Sequence, residues 1–162
     1  MAVFDSQINP LSEEFQTNTK RMMVGVNKFR GIEQRVIEAA EAKVPRYKKR
    51  GYISPRERLN LLLDPGSPFL ELSTLAGYMQ GNDIDGSAAG GTCIAGIGYV
   101  EDTRCSIYVD DYLTKGGSIT QFGGGKRKRM QLIALQHKMP LVVLAQSAGG
   151  GGYVWNDRCD FC

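Results

Sequence analysis

Leu141-Val142-Val143-Leu144-Ala145 is an unbroken apolar run between Pro140 and the polar pair Gln146-Ser147. Five residues are too few for a helix, so the run reads as a short, fully buried strand. What precedes it restricts the fold. Thr92 to Val100 and Cys105 to Val109 read as two strands, joined as a hairpin through Glu101-Asp102-Thr103-Arg104. Lys126 to Lys138 reads as a helix with Met130, Ile133, Ala134 and His137 on one face, stopped by Pro140. A strand that follows a helix can lie parallel beside one of the hairpin strands, because parallel neighbours need a long crossover. The segment is therefore α/β, in the order strand, strand, helix, strand. Gly96 and Gly98 inside the first strand point to bulges or close backbone neighbours.

Glycine is the compositional outlier. The chain has 20 in 162 residues, where average usage of about 7% would give roughly 11. Nine lie between Gly116 and Gly152. Lys115-Gly116-Gly117-Ser118 and Ser147-Ala148-Gly149-Gly150 each follow a predicted strand. Glycines there let backbone N–H groups approach a ligand, as an oxyanion hole requires; two tight turns explain them equally well. A third cluster, Gly123-Gly124-Gly125, runs into Lys126-Arg127-Lys128-Arg129. It is not a P-loop, because Thr120 stands where the first glycine belongs and Arg127 follows the lysine. Four consecutive charges point around most of a helix, which argues against a nucleic-acid face. The expected form is a glycine loop feeding a solvated cationic first turn. Cations there oppose the helix dipole, so an anion could offset them.

The N-terminal third reads as helical. After an extended lead-in over residues 1–10, Ser12 can cap a helix to about Lys43, with Phe15, Met22, Val26, Phe29 and Val36 as an amphipathic stripe. Pro45 ends it, and Arg46-Tyr47-Lys48-Lys49-Arg50 reads as a solvated linker or a contact for an acidic partner or a phosphate. Ser54-Pro55-Arg56-Glu57 has the N-cap, first-position proline and third-position glutamate of a capping box. Leu59, Leu61, Leu62 and Leu63 follow, and Asp64-Pro65-Gly66 stops that helix. Phe69 to Leu72 is extended, and residues 77–91 form a loop.

Several function classes are disfavoured. A net charge of +3 permits an anionic ligand without calling for nucleic acid. No apolar run approaches the ~18 residues of a membrane span. Cys159-Asp160-Phe161-Cys162 is half of a zinc site, and Cys93 and Cys105 fall in strands, so no metal is expected. His137 is the single histidine, and no Ser-His-Asp set can be assembled. The first 19 residues carry no Lys or Arg and no apolar signal core, which favours the cytoplasm.

Taken together, the motifs resemble a known family. Ser54-Pro55-Arg56-Glu57-Arg58 with Leu61-Leu62-Leu63-Asp64-Pro65-Gly66-Ser67, Asp110-Asp111-Tyr112-Leu113-Thr114-Lys115-Gly116-Gly117-Ser118, and Pro140 to Leu144 with Ser147 resemble the carboxyltransferase (beta) subunits of biotin-dependent acyl-CoA carboxylases. Ser12-Glu13-Glu14-Phe15, Gly66 to Ser73 and Asn156-Asp157-Arg158 look closest to the methylcrotonoyl-CoA and geranyl-CoA branch. The resemblance implies a crotonase-like fold, a spiral of strand-strand-helix units, here its incomplete N-terminal domain over 54–162 after a helical extension over 1–53. It implies carboxyl transfer from carboxybiotin to an acyl-CoA, with enolate-like states held by backbone amides. Gly116 and Gly117 would supply such amides. Lys115, Ser118, Ser147, Gly149 and Gly150 would line the acyl-CoA pocket, and Lys126, Arg127 and Arg129 would meet coenzyme A phosphates. Biotin would arrive on a partner, the biotin carboxylase and carrier (alpha) subunit of an ATP-dependent ligase, and the beta subunits would form a homo-oligomer.

The sequence departs from the family pattern in three ways. Its main Gly-Gly oxyanion loop would fall after Cys162, which would make the chain alone inactive. Gln146 and Ala148 replace an aspartate and a glycine. Gly123 to Arg129 replaces the usual start of the helix. A non-catalytic subunit that kept the fold, or a decarboxylase relative, therefore stays open beside the carboxyltransferase.

Overall fold

The computed structural model describes residues 6–81 and 83–150. The motifs Asn156-Asp157-Arg158 and Cys159 to Cys162 lie outside the described residues. Helix α1 spans Glu13–Glu41. Ser12 caps it by accepting from the Phe15 N–H at 3.2 Å, and Glu13 and Glu14 place negative charge on the positive end of the dipole. Helix α2, Val44–Lys48, takes the place of the expected linker. Proline at its second position is compatible with a helix start, where no N–H is needed. Tyr47 on α2 packs against Tyr52 and Tyr112, with ring centroids 6.3 and 5.0 Å away, and the Tyr112 hydroxyl donates to the Ile53 carbonyl. The basic segment is therefore tied down by its one aromatic residue.

Helix α3, Pro55–Leu62, carries the predicted capping box in full. Strands β1 (Leu70–Glu71), β2 (Cys93–Val100) and β3 (Thr103–Asp110) are antiparallel neighbours. The β2–β3 turn is only Glu101-Asp102, both with positive φ, as a two-residue hairpin turn requires. Asp64 accepts from both turn amides at 2.7 and 2.9 Å. Pairing of β2 with β3 is continuous from Cys93 to Val100, so Gly96 and Gly98 mark no bulge. Close approach explains them. A Cβ at Gly96 would lie 2.3 Å from the Leu70 carbonyl oxygen, and one at Gly98 would lie 2.5 Å from Leu63.

Strand β4 (Ser118–Ile119) leads into helix α4, Gln121–Gln136. Strands β5 (Leu141–Leu144) and β6 (Gly149–Gly150) follow. β5 lies parallel to β3, completing a sheet ordered β1-β2-β3-β5, and the crossover is α4. Leu59, Ile94, Cys105, Ile107 and Val109 form the core on the α3 side, with Val142 and Leu144 packed against it. Cys93, Ala95, Tyr108 and Met130 form the core on the α4 side, with Ile133 and Val143. Each fully buried aliphatic side chain contributes about 1.5–3 kcal/mol.

Two expectations need correction. β5 is not fully buried: Leu141 is exposed and the next three residues are half-buried, because among the described residues β5 has a neighbour only in β3. Helix α4 begins at Gln121, not Lys126. The Thr120 hydroxyl accepts from the Gly123 N–H at 3.1 Å and caps the helix, so all three glycines lie inside it. A Cβ at Gly123 would lie 2.2 Å from the Gly91 carbonyl oxygen. The first turn of α4 thus rests on the backbone at Gly91, which overrides the poor helix propensity of glycine. His137 caps the end of α4 and is exposed.

Candidate functional site

The fold brings the two strand-end glycine loops together. β4 pairs with β6 in parallel, with Ser118 opposite Gly149 and Ile119 opposite Gly150. The Ala148 N–H donates to the Gly117 carbonyl at 3.0 Å. Gly117 is buried with φ +80°, and a Cβ there would meet the Gln146 carbonyl oxygen at 3.2 Å. The Ser118 hydroxyl donates back to the Lys115 carbonyl at 2.6 Å. Gly116, at φ +64°, is exposed and would have nothing within 4 Å of a Cβ. Ser147 is exposed beside this corner.

One edge of the corner opens on a cleft of about 270 Å³ lined by Ala76, Gly77, Asp83, Gly91, Lys115 and Phe122, with Thr120 and Gln121 at the start of α4. The N-terminal turn of α4 and the Lys115 ammonium give this end hydrogen-bond donors. Asp83 supplies the one carboxylate of the lining. It is buried, and its carboxylate accepts from the Met79 and Ala88 amides at 3.0 and 2.9 Å, folding the 76–91 loop. The arrangement suits an anionic or carbonyl-bearing ligand laid against backbone amides.

The predicted cationic cluster does not line this cleft, and Lys126 is a correction. It is 5% exposed, and its ammonium donates to the carbonyls of Gly90 at 3.2 Å and Cys93 at 3.0 Å. Burial pulls its pKa below the usual lysine value. It points inward and offers no solvated charge to a phosphate. The Arg127 guanidinium sits 5.5 Å from the Tyr108 ring centroid, over a phenol whose pKa burial pushes well up. Arg129 is exposed on α4. Neither arginine lines the cleft. Gly117 is corrected as an oxyanion donor too, since its N–H is donated to the Thr114 carbonyl at 3.1 Å.

Gln146 anchors the second loop. Its N–H donates to the buried Asp110 carboxylate at 2.9 Å, and its side-chain carbonyl accepts from Arg58 at 2.8 Å. Sequence reasoning missed Thr120, Gly91 and Phe122 as cleft residues. Thr120 was legible as an N-cap, but Gly91 and Phe122 carried no local signal, because their role is set by contact between distant segments.

Similarity to known proteins agrees with this architecture. The family model described as "Carboxyl transferase domain" matches residues 46–155. A biotin-dependent 3-methylcrotonyl-coenzyme A carboxylase beta1 subunit of Mycobacterium tuberculosis is 43% identical over 105 residues, covering 64% of this chain and 19% of that protein. A mitochondrial methylcrotonoyl-CoA carboxylase beta chain of Arabidopsis thaliana is 35% identical over 144 residues, covering 88% and 24%. The solved beta subunit of Pseudomonas aeruginosa geranyl-CoA carboxylase superposes with a TM-score of 0.80 at 43% identity, over 93% of this chain and 28% of that one. The chain thus spans about a quarter of the length of the relatives it matches. Because the family model covers most of the chain and the strand-strand-helix-strand core superposes on a solved member, the chain belongs to the carboxyl transferase domain family, with its crotonase-like α/β fold.

Proposed function

We propose that this chain acts as part of a carboxyltransferase (beta) subunit of a biotin-dependent acyl-CoA carboxylase, moving a carboxyl group from carboxybiotin to an acyl-CoA. In this reading residues 54–162 form the first part of its crotonase-like domain and residues 1–53 a helical extension. The observation that carries the reading is the parallel pairing of the Lys115–Ser118 and Ser147–Gly150 loops beside the cleft that Lys115 and the start of α4 line. Ligand groups laid on that corner would meet the exposed Gly116 and a helix N-terminus. The corner fits coenzyme A better than biotin: the cleft offers a lysine and backbone donors to an anion. Among the described residues no separate donor set is assigned to the biotin ring, and no step is derived through it. When bound, biotin carries the carboxyl group, on a partner with biotin carboxylase and carrier functions in an ATP-driven ligase. The beta chains would assemble as a homo-oligomer. The proposed compartment is the cytoplasm, supported by the unpaired thiols of Cys93 and Cys105. Among the described residues no helix is long and apolar enough to cross a membrane.

The reading is tested by calorimetric titration of the full protein with coenzyme A. Lys115→Ala is expected to weaken binding about tenfold, the scale of one charge-assisted contact. Equal affinity in Lys115→Ala and wild type, or no binding by either, contradicts the placement of coenzyme A in this cleft.

A further inference from the structure

The turn Gly90-Gly91-Thr92 has φ of +97°, +69° and +62° in succession. Glycine accepts such values freely, but a β-branched threonine there is strained. Strain of this kind persists only where the surroundings over-determine it. Here side chains from three positions hold the carbonyls of the turn. The Thr92 hydroxyl contacts the carbonyls of Gly91 at 2.6 Å and Ser118 at 2.9 Å, and Thr120 adds a 3.3 Å contact to Gly91. The Lys126 ammonium spans the turn, bonding Gly90 on one side and Cys93 on the other. The turn is also a shared wall. Gly91 lines the cleft beside Lys115, while Gly90, Thr92 and Cys93 line a cavity of about 330 Å³ under α1.

We infer that Lys126 is a positioning residue: its buried ammonium clamps the left-handed Gly90–Thr92 turn and so fixes the wall of the cleft. Why a lysine should be buried here then has an answer. One side-chain nitrogen has three donors, enough to hold the carbonyls of both Gly90 and Cys93. Burying the cation is costly, and that cost is offset only if both bonds form. The link from the turn to ligand binding rests on the proposed coenzyme A reading; the clamp itself does not.

Cys93 supplies a readout independent of any ligand. Its thiol is 5% exposed, and burial pushes its pKa above the usual thiol value, so labelling by iodoacetamide requires the turn to open. In the full protein, Lys126→Met is expected to raise the labelling rate of Cys93 at least tenfold, followed by mass spectrometry of its peptide, and to weaken coenzyme A binding at least tenfold. Lys126→Arg should restore part of both. Adding Thr92→Asn to Lys126→Met should return labelling toward the wild-type rate, since asparagine tolerates a φ near +62° and keeps a side-chain donor beside the Gly91 and Ser118 carbonyls. A purely structural lysine would not show that rescue. Wild-type labelling in folded Lys126→Met overturns the inference. If Lys126→Met does not fold, the double variant decides: a folded protein with protected Cys93 supports the clamp, and an unfolded one overturns it. Increased Cys93 labelling in a protein that never binds coenzyme A leaves the clamp standing and removes the coenzyme A reading.

Discussion

Arg58 and Gln146 are 88 residues apart in sequence, yet the Arg58 guanidinium donates to the Gln146 side chain at 2.8 Å. This bond ties α3 to the loop that carries Ser147, and Asp110 holds the same loop through its backbone. A hydrogen bond to a charged group that is partly buried contributes about 1.5 kcal/mol or somewhat more, less where solvent screens it. In a double-mutant cycle by urea denaturation, Arg58→Ala and Gln146→Ala should therefore couple by about 1 kcal/mol. Strict additivity would show that the contact contributes nothing. At this scale the sequence was a partial guide. Lys115 was a candidate from its motif, and Gln146 stood out as a departure from the family pattern. Lys126 was assigned with its neighbours to coenzyme A phosphates, because four adjacent cations look alike in one dimension, and only packing shows which of them turns inward to donate to carbonyls inside the fold.

The hairpin, the crossover helix and the parallel strand follow directly from apolar periodicity and from Pro140, and so were legible. The start of α4 was not. Three successive glycines argue for a loop on propensity, and the reason they are helical is the backbone of Gly91 some 30 residues earlier. The helix therefore contains two glycines of opposite kind. Gly123→Ala adds a methyl 2.2 Å from the Gly91 carbonyl oxygen, and overpacking against backbone should cost about 1–3 kcal/mol despite the gain in propensity. Gly125 is exposed, with nothing within 4 Å of a Cβ, so Gly125→Ala should stabilise by up to about 1 kcal/mol. Thermal or urea unfolding of the two variants reads both signs; a stabilising Gly123→Ala would mean that α4 does not rest on Gly91. The same contact logic accounts for α2, whose basic sequence conceals the one tyrosine that joins it to Tyr112.

Across the whole chain, the described residues divide into a well-packed sheet and a long helix that meets it sparingly. Ile32 is the one buried residue of α1, while Phe15, Met22 and Phe29 are 37%, 68% and 42% exposed. The predicted stripe is present but only its C-terminal turns, around Val36, Ile37 and Ala40, face the sheet across the larger cavity. The site is concentrated at the same end of the sheet, on the far side of the Gly90–Thr92 turn, where β3 and β5 finish side by side and their glycine loops pair. Parallel strands that end together present their loops on one edge, which is why a motif order in sequence becomes a single corner in space. The central claim is that this corner handles the acyl-CoA in a carboxyl transfer. The most direct measurement is transfer of labelled bicarbonate to a panel of acyl-CoAs by the full protein with its biotin-carrying partner, for wild type and Gly116→Val. The account predicts a labelled product for at least one acyl-CoA, and a loss of a hundredfold or more in Gly116→Val, where a β-branched side chain would have to adopt φ +64°. No labelled product from an intact complex, or an undiminished rate in Gly116→Val, would contradict it.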